Sequence, residues 1–193
     1  FNLLKNNGVR KIRYTPNGVD VDKFSSKNKL FTTDKIKIGC SGTLSRDDKE
    51  GISEFILPLK KIPWVDLKIA VPQNNFYINH EDMPNFLNQL DIYIMASKSE
   101  GFPLKLLEAA SCGRLCISTK VGGAEDLIEH GVNGYFFKRT KKDLLDILEY
   151  IKKNKSSQKT KTHLMRKKIE NYWKWEKTSS SWYNFFQENI KNL

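Results

Sequence analysis

Two carboxylates with seven residues between them, Glu100 and Glu108, are the side chains in this sequence best placed to do chemistry. They lie in Ser97-Lys-Ser-Glu-Gly-Phe-Pro-Leu-Lys-Leu-Leu-Glu-Ala-Ala-Ser-Cys-Gly113. The apolar run before it, Ile92-Tyr-Ile-Met-Ala96, predicts a buried strand. Ser97 and Gly101 then break the pattern, and Pro103 suits a first helical position, where a missing N–H costs nothing. A helix follows over 104–112, and Gly113 stops it. The unit is therefore strand, polar loop, helix, and in α/β sheets such a loop lies where ligands bind. Leu104, Leu106, Leu107, Ala109 and Ala110 make the helix almost wholly small or apolar, hence largely buried. An ionised Glu108 within it is expensive without hydrogen-bond donors, and ligand hydroxyls are donors. N–H groups from Leu104 onward point at the same space and suit a phosphate. Sugar hydroxyls, ribose hydroxyls and phosphate together describe a nucleotide sugar.

The elements that must position this unit follow a strand–helix rhythm. Residues 35–42 read as a strand running into Gly42; Gly39 and Gly42 alone make only a weak fingerprint. A charged loop over 43–50 leads into a helix over 52–61, closed by Pro63. A strand over 65–71, a short helix over 82–90 and the strand before the motif come next. Beyond it lie a buried strand over 115–119, a tight loop at 121–123 and a short helix over 124–130. A last strand over 134–137 precedes the helix over 141–154, which Thr140 caps and whose Leu144, Leu145, Ile147, Leu148 and Ile151 form a core stripe. Residues 155–162 read as a loose connection, and helices near 163–172 and 175–190 close the chain. Near the start, 11–15 reads as a short strand and Pro16-Asn-Gly18 as a turn, with Gly18 free to take positive φ. The fold class is α/β: a Rossmann-like, mostly parallel sheet of five to six strands with helices on both faces.

A chain of 193 residues suits one domain with a sizeable core. Net charge is +11 and uneven: residues 138–193 carry 15 Lys/Arg against 6 Asp/Glu, the rest 18 against 16. A solvated helical face explains this most simply; attraction to anionic lipid is the functional alternative, and no motif supports nucleic acid. No apolar run approaches the roughly 20 residues of a membrane span. Cys40, Cys112 and Cys116, odd in number, suggest reduced intracellular thiols used as core hydrophobes. His80, His130 and His163 are too scattered for a ligand set, so no metal site is expected.

The organising stretch resembles the E-x7-E signature of retaining GT-B glycosyltransferases, glycosyltransferase family 4 (group 1). The likeness extends to Tyr14-Thr-Pro-Asn-Gly-Val-Asp20 with Phe24, to Val121-Gly-Gly-Ala-Glu-Asp-Leu-Ile-Glu-His-Gly-Val-Asn-Gly134 and to Trp175-Glu-Lys, spanning about residues 12 to 180. Four ordered motifs are far more specific than one. The resemblance implies the donor-binding, C-terminal half of a GT-B enzyme over residues 1–193, with 1–34 as lead-in and 163–193 as helices that pack toward an N-terminal domain. It implies retaining transfer from a UDP- or GDP-sugar to an acceptor glycan or lipid, without a metal ion or other cofactor. By it, Glu108 receives the ribose hydroxyls and Glu100 a hydroxyl of the donor sugar. The loop of Ser97, Gly101, Phe102, Pro103 and Leu104 meets the donor, and the Gly122–Gly123 backbone passes close to it. Glu100 and Lys49 are the expected catalytic pair.

Two departures accompany the likeness. After Gly42 the family has an Arg that meets the diphosphate; here Thr43 stands there, Lys49 fits the family's Lys, and Arg46 is a substitute candidate. Only 72–82 intervenes where the family has a further helix and strand, so one βα unit is shortened. Without an initiator Met, the chain is expected to be a piece of a longer protein. The expected setting is cytoplasmic, peripheral at the inner face of a membrane. A non-catalytic nucleotide-binding module and a basic membrane-surface module are the alternatives.

Overall fold

The computed structural model describes residues 2–8, 12–72 and 77–190. Five strands form one all-parallel sheet: β1 (Ile36–Ser41), β2 (Val65–Ala70), β3 (Ile92–Met95), β4 (Leu115–Ser118) and β5 (Tyr135–Phe136). Their order is β2-β1-β3-β4-β5. β3 and β4 are buried at every position, which is why both read as unbroken apolar runs. From β1 the chain moves outward to β2, then returns to lay β3 on the other side of β1. That reversal opens a crevice beyond the carboxyl ends of β1 and β3. The compressed segment after β2 adds no strand among the described residues, so β2 is an edge.

Helices cover both faces. On one, α3 (Met83–Asn88), α4 (Leu104–Ser111) and α7 (Lys155–Tyr172) bury Leu87, Leu107, Met165 and Ile169. On the other, Phe55, Ile56 and Leu59 pack with Leu144, Leu148 and Ile151 of α6 (Lys141–Lys153). The lead-in belongs to the first face: Val19 and Phe24 are buried, and Arg166 donates to the carbonyls of Val21, Phe24 and Ser111.

Local structure departs from the sequence reading at several places. The helix expected over 52–61 is a π-helical turn, Ile52–Ile56, followed by a 3₁₀ stretch, Leu57–Lys61. Pro58 lacks the N–H that an α-helix needs there, and its ring opposes a regular turn. The loose connection at 155–162 is instead the first half of α7. Its polar residues are satisfied internally: Gln158 is fully buried, accepts from Tyr135 Oη at 2.8 Å and donates to the Asn154 carbonyl. The helix after the double glycine is a single turn, α5 (Ala124–Leu127). Residues 12–15 of the expected first strand are not extended into a sheet; Lys11 lies outside the described residues. Gly18 does not adopt positive φ. Close approach is what requires it, since a Cβ there would sit 2.5 Å from Thr178 Oγ1 and 2.8 Å from Trp175 Cα.

Much of the aromatic side of α8 (Trp175–Ile190) is left uncovered among the described residues. Trp175, Tyr183, Phe186 and Ile190 are exposed, whereas Trp173, just before the helix, is buried. No described helix is long and apolar enough to cross a membrane.

Candidate functional site

The loops after β1 and β3 meet in the crevice. Ser97, the first residue beyond the apolar run, donates its hydroxyl to Glu100 Oε1 at 2.9 Å. Lys49 Nζ lies 3.6 Å from Glu100 Oε2. The Lys98 N–H donates to the Lys49 carbonyl at 2.7 Å, so backbone as well as side chains ties the two loops together. Thr119, at the end of β4, holds the Ser97 carbonyl from a third strand. Glu100 and Lys49, expected as a pair from widely separated segments, are therefore neighbours.

Glu108 lies within α4, in the turn after its start. Its side chain is only 16% exposed, and no hydrogen-bond donor among the described residues reaches it. Burial pushes its pKa up to about 7, with Lys105 and Lys23 pulling the other way. The nearest basic group is His80 Nδ1 at 3.9 Å, on a ring packed 5.5 Å from Phe24. Sequence reasoning set His80 aside as scattered; 28 positions from Glu108, it carried no local signal.

The start of α4 is partly closed on itself. The Leu104 N–H donates to the Phe102 carbonyl at 3.0 Å, so of the first-turn N–H groups expected to be open from Leu104 on, that of Lys105 alone is left without a described backbone acceptor. Pro103 sits at the N-cap, and the Leu106 and Leu107 N–H groups both return to its carbonyl. Phe102 packs on buried Trp173 with ring centroids 5.4 Å apart.

Gly122 and Gly123 are held against this same loop. The Gly123 N–H donates to the Gly101 carbonyl, and a Cβ on Gly122 would fall 2.1 Å from the Glu100 carbonyl oxygen. Gly122 also has φ +46°, so two independent constraints select glycine. Their evident task in this structure is to let the turn after β4 support the Glu100 loop.

Around Gly42 the arrangement differs from the expectation most. Thr43 caps a 3₁₀ turn, Leu44–Arg46, and Arg46 heads α2 (Asp47–Glu50). Glu50, not singled out in the sequence, turns back into the loop. Its Oε2 accepts the Thr43 N–H at 2.8 Å and would lie 1.9 Å from a Cβ on Gly42. Arg46 Nη2 and Lys105 Nζ stand 3.6 and 3.9 Å from its Oε1. The only sequence signal was the adjacency Lys49-Glu50-Gly51. Arg139 was also missed; it donates to the Ala96 carbonyl at the end of β3 and lies over the Phe55 ring. The three cysteines are buried and unpaired, and among the described residues no cluster of His, Cys, Asp or Glu is arranged to hold a metal.

An all-parallel sheet whose strand order reverses between β1 and β3, with a crevice beyond their carboxyl ends, is the Rossmann-like fold of the C-terminal domain of GT-B glycosyltransferases. The family described as "Glycosyl transferases group 1" matches residues 74–171, and the chain belongs to it. Among curated relatives, CapM of Staphylococcus aureus, a capsular polysaccharide biosynthesis glycosyltransferase, is 27% identical over 97% of this chain and 58% of its own length. N-acetyl-alpha-D-glucosaminyl L-malate synthase of Bacillus anthracis is 40% identical over 31% of this chain and 16% of its own. The chain thus spans little more than half of the one and far less of the other. Among solved structures, sucrose-phosphate synthase of Thermosynechococcus elongatus superposes with TM-score 0.83 at 16% identity, over all of this chain and 57% of that one. The C-terminal domain of the group 1 protein LpcC of Francisella tularensis gives 0.67 at 21% identity, over 81% and 99%. Anabaena HepE, solved with UDP and glucose, gives 0.75 at 18% identity, over 100% and 60%. These likenesses show the fold.

Proposed function

We propose that this chain is the donor-binding half of a retaining glycosyltransferase that takes its sugar from a nucleotide diphosphate, a UDP- or GDP-sugar. One observation carries the reading: Glu108, on the helix that follows the Glu100 loop, is a largely buried carboxylate that no hydrogen-bond donor among the described residues reaches. A buried carboxylate is costly until donors reach it. The two hydroxyls of a ribose are donors of the right kind, and they bring a diphosphate toward the start of α4. Support comes from the family membership and from the UDP held by a neighbour of the same fold.

In the reaction, the bond between the anomeric carbon and the diphosphate oxygen breaks while the acceptor oxygen bonds to that carbon on the same face, and the acceptor's proton passes to the departing diphosphate. Glu100 orients a hydroxyl of the departing sugar. Lys49, the N–H groups near Gly101 and Phe102, and the dipole of α4 take up charge growing on the diphosphate. Fixed positive groups then do what a metal ion does elsewhere. The acceptor, a glycan or lipid, meets a partnering domain, and closure of the two halves excludes water. A membrane-facing location fits the excess of lysine over 138–193 and the uncovered aromatic residues of α8.

Calorimetric titration with UDP, GDP, ADP and their sugar conjugates tests the reading. Saturable binding of one nucleotide, abolished or strongly weakened in Glu108→Ala, is the expected result. Binding that ignores this substitution in a folded protein removes Glu108 from the site. A folded wild type that binds none of them counts against the reading and favours the basic membrane-surface module.

A further inference from the structure

At the carboxyl end of β1, three groups of the kind that bind phosphate converge on a carboxylate of the protein itself. The Thr43 N–H donates to Glu50 Oε2 at 2.8 Å. Arg46 and Lys105 approach Oε1 at 3.6 and 3.9 Å. The Glu50 side chain is only 10% exposed, while those of Arg46 and Lys105 are 62% and 46% exposed. Lys105 belongs to the first turn of α4, so Glu50 lies between the first loop and that helix start, within the switch-point crevice. Lys49, its chain neighbour, faces Glu100 instead. Both cation distances exceed hydrogen-bond length, so Arg46 and Lys105 are attracted to the carboxylate without being fixed by it. They can be handed to another anion without breaking a hydrogen bond.

Resting on the donor-domain reading, we propose that Glu50 is a resident anion that occupies the place of one donor phosphate and sets the affinity of the site. With the site empty, the carboxylate keeps Arg46 and Lys105 gathered around the Thr43 N–H. When a diphosphate enters, it takes over these groups and Glu50 must swing out. Glu50 therefore weakens anion binding while keeping the cradle assembled. This gives Thr43 a physical context: its N–H anchors a carboxylate around which two cations from other positions are gathered.

The test is calorimetric titration of wild type, Glu50→Gln and Glu50→Gln/Lys105→Ala with inorganic pyrophosphate and, separately, with UDP. The Gln side chain keeps an oxygen for the Thr43 N–H and removes only the charge, and circular-dichroism melting checks each fold. Glu50→Gln should bind pyrophosphate about tenfold more tightly than wild type, and Lys105→Ala should cancel the gain. Lys105→Ala in the wild-type background, which keeps Glu50, should weaken pyrophosphate binding even if Glu50→Gln proves unstable. Equal or weaker pyrophosphate binding by folded Glu50→Gln, or no effect of Lys105→Ala, overturns the proposal. A pyrophosphate gain with no UDP binding by any variant supports the cradle and refutes the donor-domain reading. UDP binding by wild type without a gain in Glu50→Gln does the reverse.

Discussion

Glu108 gathers several consequences in one side chain. Its pKa, raised to about 7 by burial, means the folded state holds a proton there that the unfolded chain releases near the ordinary carboxylate value of 4.5. Between those values the native state binds more protons than the unfolded state. Unfolding free energy therefore falls as pH rises from about 4.5 to 7, and the penalty is complete above 7. Its size is of order 3 kcal/mol at most, since each tenfold change in proton affinity is worth about 1.36 kcal/mol. Urea unfolding at pH 5 and pH 8 measures it, and Glu108→Gln should flatten the difference. On the proposed reading nucleotide binding runs the opposite way, because ribose hydroxyls would donate to the ionised form. UDP affinity should rise between pH 5.5 and 7.5 more steeply in wild type than in Glu108→Gln, the comparison that removes the titration of UDP itself. Glu108→Ala should weaken nucleotide binding by about 1.5–3 kcal/mol, the range for hydrogen bonds to a charged group. Glu100→Ala should reduce affinity for a nucleotide sugar more than for the bare nucleotide; equal losses would contradict its contact with the sugar.

The loops that hold these carboxylates are as specific as the carboxylates. Gly122→Ala would place a methyl within 2.1 Å of the Glu100 carbonyl at a positive φ. We expect a loss of about 2 kcal/mol or more in unfolding free energy, together with weaker donor binding, because the Glu100 loop must shift. A change under about 0.5 kcal/mol would mean that the two turns are not in contact. At the opposite end of the strands, Arg114 is 1% exposed and donates to the carbonyls of Cys112, Asn88, Leu90 and Asn28 and to the Ser26 hydroxyl. Arg114→Ala strands these acceptors and should cost about 3 kcal/mol in urea unfolding while leaving the distant donor crevice intact. The elements most legible in the sequence were the buried strands and the stripe of α6, where periodicity or an apolar run reports burial, although of the five stripe residues Leu145 is exposed and Ile147 half-buried. Helix α7 was half hidden, because its first two turns are Lys, Ser, Thr and Gln. Gln158 and Thr162 are buried there through hydrogen bonds, which hydropathy does not register.

Across the whole molecule, the parallel sheet sets the site and the last helix sets the outer surface. Phe186 is 53% exposed, and α8 meets the rest of the chain through buried Thr178, through the Trp182 indole, which donates to the Pro16 carbonyl, and through Glu188, which pairs with Arg13. Phe186→Glu should leave unfolding free energy within about 0.5 kcal/mol of wild type and reduce binding of a hydrophobic dye. A loss above 1 kcal/mol would show that this face is packed within the domain. The order of strands and helices, the two-sided apolar core, the E-x7-E unit and its place at a strand end were determined by the sequence alone. Such features depend on backbone geometry and periodicity over a few residues, so a short window contains them. Four contacts were decided only by tertiary structure: Glu50 turning into the loop after Gly42, His80 beside Glu108, Arg139 at the end of β3 and Trp173 beneath Phe102. Apart from the Glu50 turn, each joins residues tens of positions apart, brought together by sheet order and helix packing. Glu50 lies within eight residues of its loop, yet its direction depends on charges that α4 presents from across the crevice.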